Sequence, residues 1–200
     1  MKKFCVLLMA SIMVFTFAAC GSDPAGDFVK TIANGKFTFD IETVMEGEKI
    51  TGYMAMDGDK MVVRMDSNDD SIRIIARDNN VYMIFDEMEA YLEMSADEMG
   101  MEDMFFGVDS GITPTKSGEG SENLNGKSTD YVEYDVEDGG YFRVFVEDGK
   151  VIAFTTHDME GINMFVSNVK NTAVSSLFDL PSGYEAYTDM FEMMMDMYSF

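Results

Sequence analysis

The stretch KFTFDIETVMEGEKITGYMAMDGDKMVVRMDSNDDSIRIIARDNNVYMIFDEMEAYLEM, residues 36–94, decides the fold. Its apolar residues recur every second position. Phe37, Phe39 and Ile41 alternate with Thr38, Asp40 and Glu42; Ile50, Met54 and Met56 follow; Met61, Val63 and Met65 oppose Val62 and Arg64. Ile72, Ile74 and Ala76 come next, then Val81, Met83 and Phe85, then a run from Tyr91 to Met94. A period of two over short runs predicts strands with one face buried. The breaks between them are turn formers: Glu46-Gly47, Asp57-Gly58, the polar cluster Ser67 to Asp70, Asp78-Asn79-Asn80 and Asp86-Glu87. Connections this short exclude parallel pairing, which needs long crossovers, so residues 36–94 read as a six-strand antiparallel meander.

Outward from the meander, Ser95 with Glu98 three residues on has the form of a capping box, and Met101, Met104 and Phe105 then fall on one helical stripe. A short amphipathic helix is expected over Ala96 to Phe106. Gly107 to Lys127, rich in Gly, Ser, Thr and Asn, reads as a loop or an irregular edge strand, with Asn125-Gly126 as a turn. Alternation returns around Tyr131 to Val136 and Tyr141 to Val146, turned at Asp138-Gly139-Gly140 and again at Asp148-Gly149. It continues through Val151 to Thr156 and Ile162 to Val169, and Leu177 to Tyr184 is expected to close the sheet. On the N-terminal side, Phe28 to Asn34 reads as a short helix ended by Gly35, or as a spacer. The fold class is therefore mainly β (α+β): one strongly curved antiparallel sheet, a half-barrel of about ten strands, with two or three short covering helices.

The first twenty residues, MKKFCVLLMASIMVFTFAAC, form a different unit. Two lysines, an apolar run from Phe4 to Phe17 and the small residues Ala18-Ala19 are the layout of a secretory signal. The run is too short for a stable membrane span, which needs about 20 apolar residues. Its end, Phe17-Ala18-Ala19-Cys20, resembles a bacterial lipobox, whose cysteine carries a diacylglyceryl thioether. That resemblance implies a lipidated Cys20, anchorage of an extracytoplasmic domain to the bacterial cell membrane, and the division 1–20 signal peptide, 21–27 tether, 28–185 half-barrel, 186–200 methionine-rich helix or tail.

Composition narrows the function. The formal net charge is −23 over 200 residues, and it falls further when Lys2 and Lys3 leave with the signal. A surface this acidic repels nucleic acid, which is excluded as a partner, and suits a cationic one. Both cysteines, Cys5 and Cys20, lie in the leader, so the domain has no disulfide and relies on an ordinary core. His157 is the single histidine, and no G-x-S-x-G elbow, P-loop or G-x-G-x-x-G accompanies it. The run from Asp66 fails as an EF-hand loop because Ser71 and Arg77 stand at the glycine and twelfth positions. No catalytic residue and no cofactor is expected, and the protein reads as a non-enzyme.

Methionine is the unusual resource, with 21 in the chain. Met54, Met56, Met61, Met65 and Met83 recur on the apolar side of successive strands, beside Phe37, Phe39, Ile41 and Phe85. Unbranched and polarisable, Met adapts to irregular apolar shapes. These nine residues either line a plastic hydrophobic cavity, with Met101, Met104 and Phe105 as its lid, or pack as a solid core. Thioethers also suit Cu(I), and Met190, Met193, Met194, Met195 and Met197 crowd the C-terminus. With no cysteine in the domain and one histidine, no metal site is expected.

The order of these elements, a lipobox, an N-terminal helix, a meander opening on FTFDIE, a helix after AYLEM, further strands and the phrase Phe178-x-Leu180-Pro181-x-Gly183-Tyr184, resembles the half-barrel carriers of the outer-membrane lipoprotein carrier type. Lipid-binding lipoproteins of mycobacteria share that fold. The segment VYMIFDEMEAYLEM is also similar to a group of small exported bacterial proteins of the same shape. Spanning Lys36 to Tyr184, the resemblance implies an unclosed barrel that holds an acyl chain or other apolar ligand beneath helices. The absence of tryptophan and the acidity depart from many such carriers. A second reading, from another class, is an interaction module with a filled core and an acidic face for a cationic protein partner.

Overall fold

The computed structural model describes residues 23–45, 47–68, 70–96, 115–135, 140–157 and 163–197. The meander is present as six consecutive antiparallel strands: β1 (Lys36–Met45), β2 (Glu48–Asp57), β3 (Lys60–Asp66), β4 (Ser71–Arg77), β5 (Asn80–Phe85) and β6 (Ala90–Ser95). After an interval outside the described residues, β7 (Thr115–Leu124), β8 (Lys127–Asp135), β9 (Tyr141–Glu147), β10 (Lys150–Thr156) and β11 (Met164–Lys170) form a second run. β11 returns to pair with β1, so the two runs fuse into one curved, unclosed sheet of twelve strands, ordered β12-β6-β5-β4-β3-β2-β1-β11-β10-β9-β8-β7. The last described strand, β12 (Glu185–Tyr187), adds to β6 and is the one parallel neighbour among the described strands.

Local chemistry explains the turns. Asp78-Asn79, Asn125-Gly126 and Asp148-Gly149 each place both central residues at positive φ, the two-residue geometry whose twist suits antiparallel strands. Between β2 and β3 the turn residues are Gly58-Asp59, one position later than the sequence pattern indicates. Register shifts between Thr38 and Asp40, Lys116 and Gly118, and Val151 and Ala153 are bulges that add bend and twist. At the far edge β7 carries Lys116, Glu119 and Glu122 and is exposed along most of its length; charge and a bulge blunt a free edge.

One face of the sheet is covered by α1 (Pro24–Ala33), which begins inside the stretch read as a tether. Asp23 caps it, accepting from the Gly26 N–H at 2.9 Å, and Pro24 occupies the first turn, where no N–H is needed. The helix buries Ala25, Phe28 and Val29 against Phe37, Phe39 and Ile41 of β1, Met56, Tyr134, Val144, Phe154 and Val166. Phe28 lies at the centre, with ring centroids 5.9 Å from Phe39, 6.0 Å from Phe154 and 6.4 Å from Phe142.

The opposite face is crossed by the residues after β11. Leu177 to Tyr184, expected as the closing segment of the sheet, forms no strand. Ser175–Phe178 is a 3-10 turn, and Pro181 has no N–H to give a ladder, so the segment acts as a strap. Phe178 inserts among Ala55, Val62, Ile75, Tyr82 and Ile84. Arg77 donates from Nη1 to the Phe178 carbonyl at 3.0 Å, and the Tyr184 hydroxyl donates to Asp86, which also pairs with Arg73. The strap delivers the chain to the β6 edge, where the Glu185 N–H meets the Glu89 carbonyl. Helix α2 (Met190–Met197) follows, capped by Asp189, with Met193 buried and Phe191 68 % exposed.

Candidate functional site

Strand register fixes which side chains share a face, because directly opposed residues of an antiparallel pair point the same way. Phe37 opposes Met56 and Phe39 opposes Met54; Met56 then opposes Met61, and Gly52, the partner of Ile41, opposes Met65. Farther along, Ile74 opposes Met83, and Phe85 opposes Ala90. All nine residues proposed to line a cavity therefore lie on the face that α1 covers.

They do not have one environment. Phe37 and Phe39 at 1 %, Met56 at 2 %, Met61 at 5 % and Ile41 at 6 % exposure are packed core. Phe37, Phe39, Ile41 and Met56 sit in the cluster under α1, while Met61 packs with Ala76, Val81 and Ala96. Met54, Met65, Met83 and Phe85 are only partly buried, as are Val63, Ile72, Ile74 and Met94 on the same face. Met54 and Met65 pack against the cluster under α1, and Met54, Val63 and Ile74 against the Met61 cluster, whereas Ile72, Met83, Phe85 and Met94 lie farther out on β4 to β6. The proposed lid, Met101, Met104 and Phe105, and the lipidation residue Cys20 lie outside the described residues.

Two concavities bounded by described residues are relevant. A cleft of about 560 Å³ lies beside α1 and is lined by Phe28 and Thr31 from the helix, Lys150 to Ile152 from β10 and Val166 to Val169 from β11. A polar cup of about 470 Å³ on the opposite face is lined by Asp40, Glu42, Tyr53, Arg64 and Asp66. In the cup, Arg64 binds Asp66 through Nε at 2.9 Å, and Ser71 donates to the same carboxylate. Burial raises the Asp66 carboxyl, but these two hydrogen bonds outweigh it and hold the group below the ordinary carboxylate range.

Sequence reasoning passes over Tyr134 and Phe28. Tyr134 is 5 % exposed and its hydroxyl has no hydrogen-bond partner among the described residues; burial, then the nearby charges of Asp23, Asp27 and Glu119, raise its pKa and keep it neutral. Its alternation with Val132 and Val136 places it in a strand but gives no sign of the missing partner. On the other face, Arg143 lies between the rings of Tyr131 and Tyr141, 4.8 and 4.3 Å from their centroids, and binds Glu133 at 2.7 Å. Among the described residues no group of three or more His, Cys, Asp or Glu side chains is placed to hold a metal ion. No described helix is long and apolar enough to cross a membrane.

No protein-family model and no curated protein matches the chain. Solved structures do. An uncharacterized conserved protein from Thermus thermophilus aligns over 82 % of this chain and 99 % of its own, at 9 % identity and a TM-score of 0.50, a likeness of fold. The Pseudomonas aeruginosa MucA/MucB complex aligns over 82 % of this chain and 64 % of that one, at 10 % identity and a TM-score of 0.38. A second structure of MucB, in complex with MucA(peri), covers 62 % of that chain with a TM-score of 0.35.

Proposed function

We propose that the protein is an exported lipoprotein, anchored through acyl chains on Cys20, whose curved sheet binds or carries a hydrophobic, lipid-like ligand. One observation carries the ligand reading: Met54, Met65, Met83 and Phe85 are only partly buried and share a face with Ile72, Ile74 and Met94, which are partly buried too. Binding there is passive. Each Å² of apolar surface removed from water contributes about 25 cal/mol, and flexible thioethers adapt to the chain they meet. The packed residues Phe37, Phe39, Ile41, Met56 and Met61 form the floor that holds the sheet's curvature.

Replacing Met65 and Met83 by glutamate tests this. A charged group on the ligand face costs several kcal/mol of binding, so uptake of a fluorescent fatty acid falls at least about tenfold while the far-ultraviolet spectrum is kept. Unchanged uptake in the double variant contradicts the placement. Anchorage is tested separately: metabolic labelling with palmitate marks the wild type and leaves Cys20→Ser unlabelled. A second reading, an interaction module for a cationic partner, is favoured by the net charge of −23 and needs no ligand on this face.

A further inference from the structure

The join between β10 and β11 is incomplete. β9 and β10 pair over six residue pairs and β1 and β2 over ten, yet among the described residues β10 and β11 pair only at Ala153–Phe165 and Phe154–Met164, next to their connection. Farther from it, Lys150 to Ile152 have no ladder partner on β11, and Asn168 and Val169 have none on either side. Two irregularities hold the strands apart: the bulge at Val151/Ala153, and the step in β11 where Asn168 stands at φ 52. The 560 Å³ cleft occupies this opening, with α1 above it.

Backbone N–H and C=O groups are obligatory hydrogen-bonding groups, and a strand edge inside a sheet presents a row of them. A purely apolar guest leaves that row unmet. An extended peptide satisfies it, one side chain in two facing Phe28, Val151 and Val166 and the next facing away. The acidity of the chain selects a cationic peptide. We infer that the cleft between β10 and β11 is a strand-insertion site for an extended, basic segment of another polypeptide. It lies on the same face as the partly buried patch of Met65, Met83 and Phe85 but is lined by α1, β10 and β11 and by none of those residues, so each stands or falls without the other.

Hydrogen exchange on the chain from Gly21 onward, which carries every described helix and strand, tests the inference with a short synthetic peptide alternating lysine with valine. The expected result is about tenfold slower exchange of amides in residues 149–152 and 166–169, with the amides of β3 to β6 unchanged. Thr31→Trp, which fills the cleft from α1, abolishes the protection. Lys150→Glu, which removes the basic residue on the cleft wall, tightens binding about threefold. The inference is overturned by no protection at millimolar peptide, by equal protection in Thr31→Trp, or by equal protection with a peptide alternating glutamate with valine.

Discussion

Truncating Phe28 to alanine removes the anchor by which α1 holds the sheet. The ring is 4 % exposed and meets Phe39, Phe142 and Phe154 at centroid distances of 5.9 to 6.4 Å. A buried phenylalanine removes about 150–250 Å² from water, which at about 25 cal/mol per Å² is worth roughly 4–6 kcal/mol. Measured truncations of this kind cost about 3–5 kcal/mol. Set against a total of about 5–15 kcal/mol for a domain, the loss is about a fifth of the stability or more. With a urea slope of about 2 kcal/mol per M, the unfolding midpoint moves down by roughly 2 M. The chain has no tryptophan, so circular dichroism is the assay, with Thr31→Ala, a small change on the same helix, as a control expected within about 0.5 kcal/mol. A shift below about 0.5 M for Phe28→Ala, with the helical signal retained, refutes the packing of α1 described above.

Asp23→Ala removes the cap of α1 and lowers stability by about 1 kcal/mol in the same assay. Gly26→Ala does not bring its usual helical gain, because a Cβ there meets the Asp23 carboxylate; in the Asp23→Ala background the same change stabilises, and equal effects in both backgrounds contradict the geometry. Desolvation, then Glu185 and Asp196, push the Tyr187 hydroxyl up to about 12. Because that folded value exceeds the unfolded value of about 10, the stability linked to Tyr187 is present below pH 10 and is lost as pH rises toward 12. Alkaline ultraviolet titration of wild type minus Tyr187→Phe therefore gives a component with its midpoint near 12. Arg77→Met removes the donor to the Phe178 carbonyl, at a cost of about 2 kcal/mol, and exposes the strap to limited proteolysis between Leu177 and Tyr184 before the sheet is cut.

Much of the sheet is legible because its strands alternate and its turns carry Asp-Gly, Asn-Gly and Asp-Asn. A period of two assigns faces, and every residue from Phe37 to Phe85 assigned to the apolar side lies there. What pattern does not encode is the third dimension of that face. Phe39 and Met65 look alike in sequence, but Phe39 is fully buried within the cluster under α1 while Met65 packs against that cluster only partly buried. The strap escapes a sequence reading because LFDLPSGY is apolar enough for a strand, while Pro181 and the turn at Ser175–Phe178 deny it a ladder. β7 reads equally as loop or edge strand because TKSGEGSENL has no apolar side, as befits a strand exposed along most of its length. The parting of β10 from β11 is invisible in VIAFTT and MFVSNVK, since it rests on a bulge and on one asparagine in the left-handed region.

The central claim is that this sheet carries an apolar ligand. Native mass spectrometry with lipid extraction, on the chain from Gly21 to Phe200 purified from its own host without detergent, tests it most directly. The account predicts an apolar molecule near one per protein that is lost in the variant carrying Met65→Glu and Met83→Glu. A clean apo mass, with no uptake when fatty acids and phospholipids are offered, contradicts it and leaves the acidic interaction module in its place.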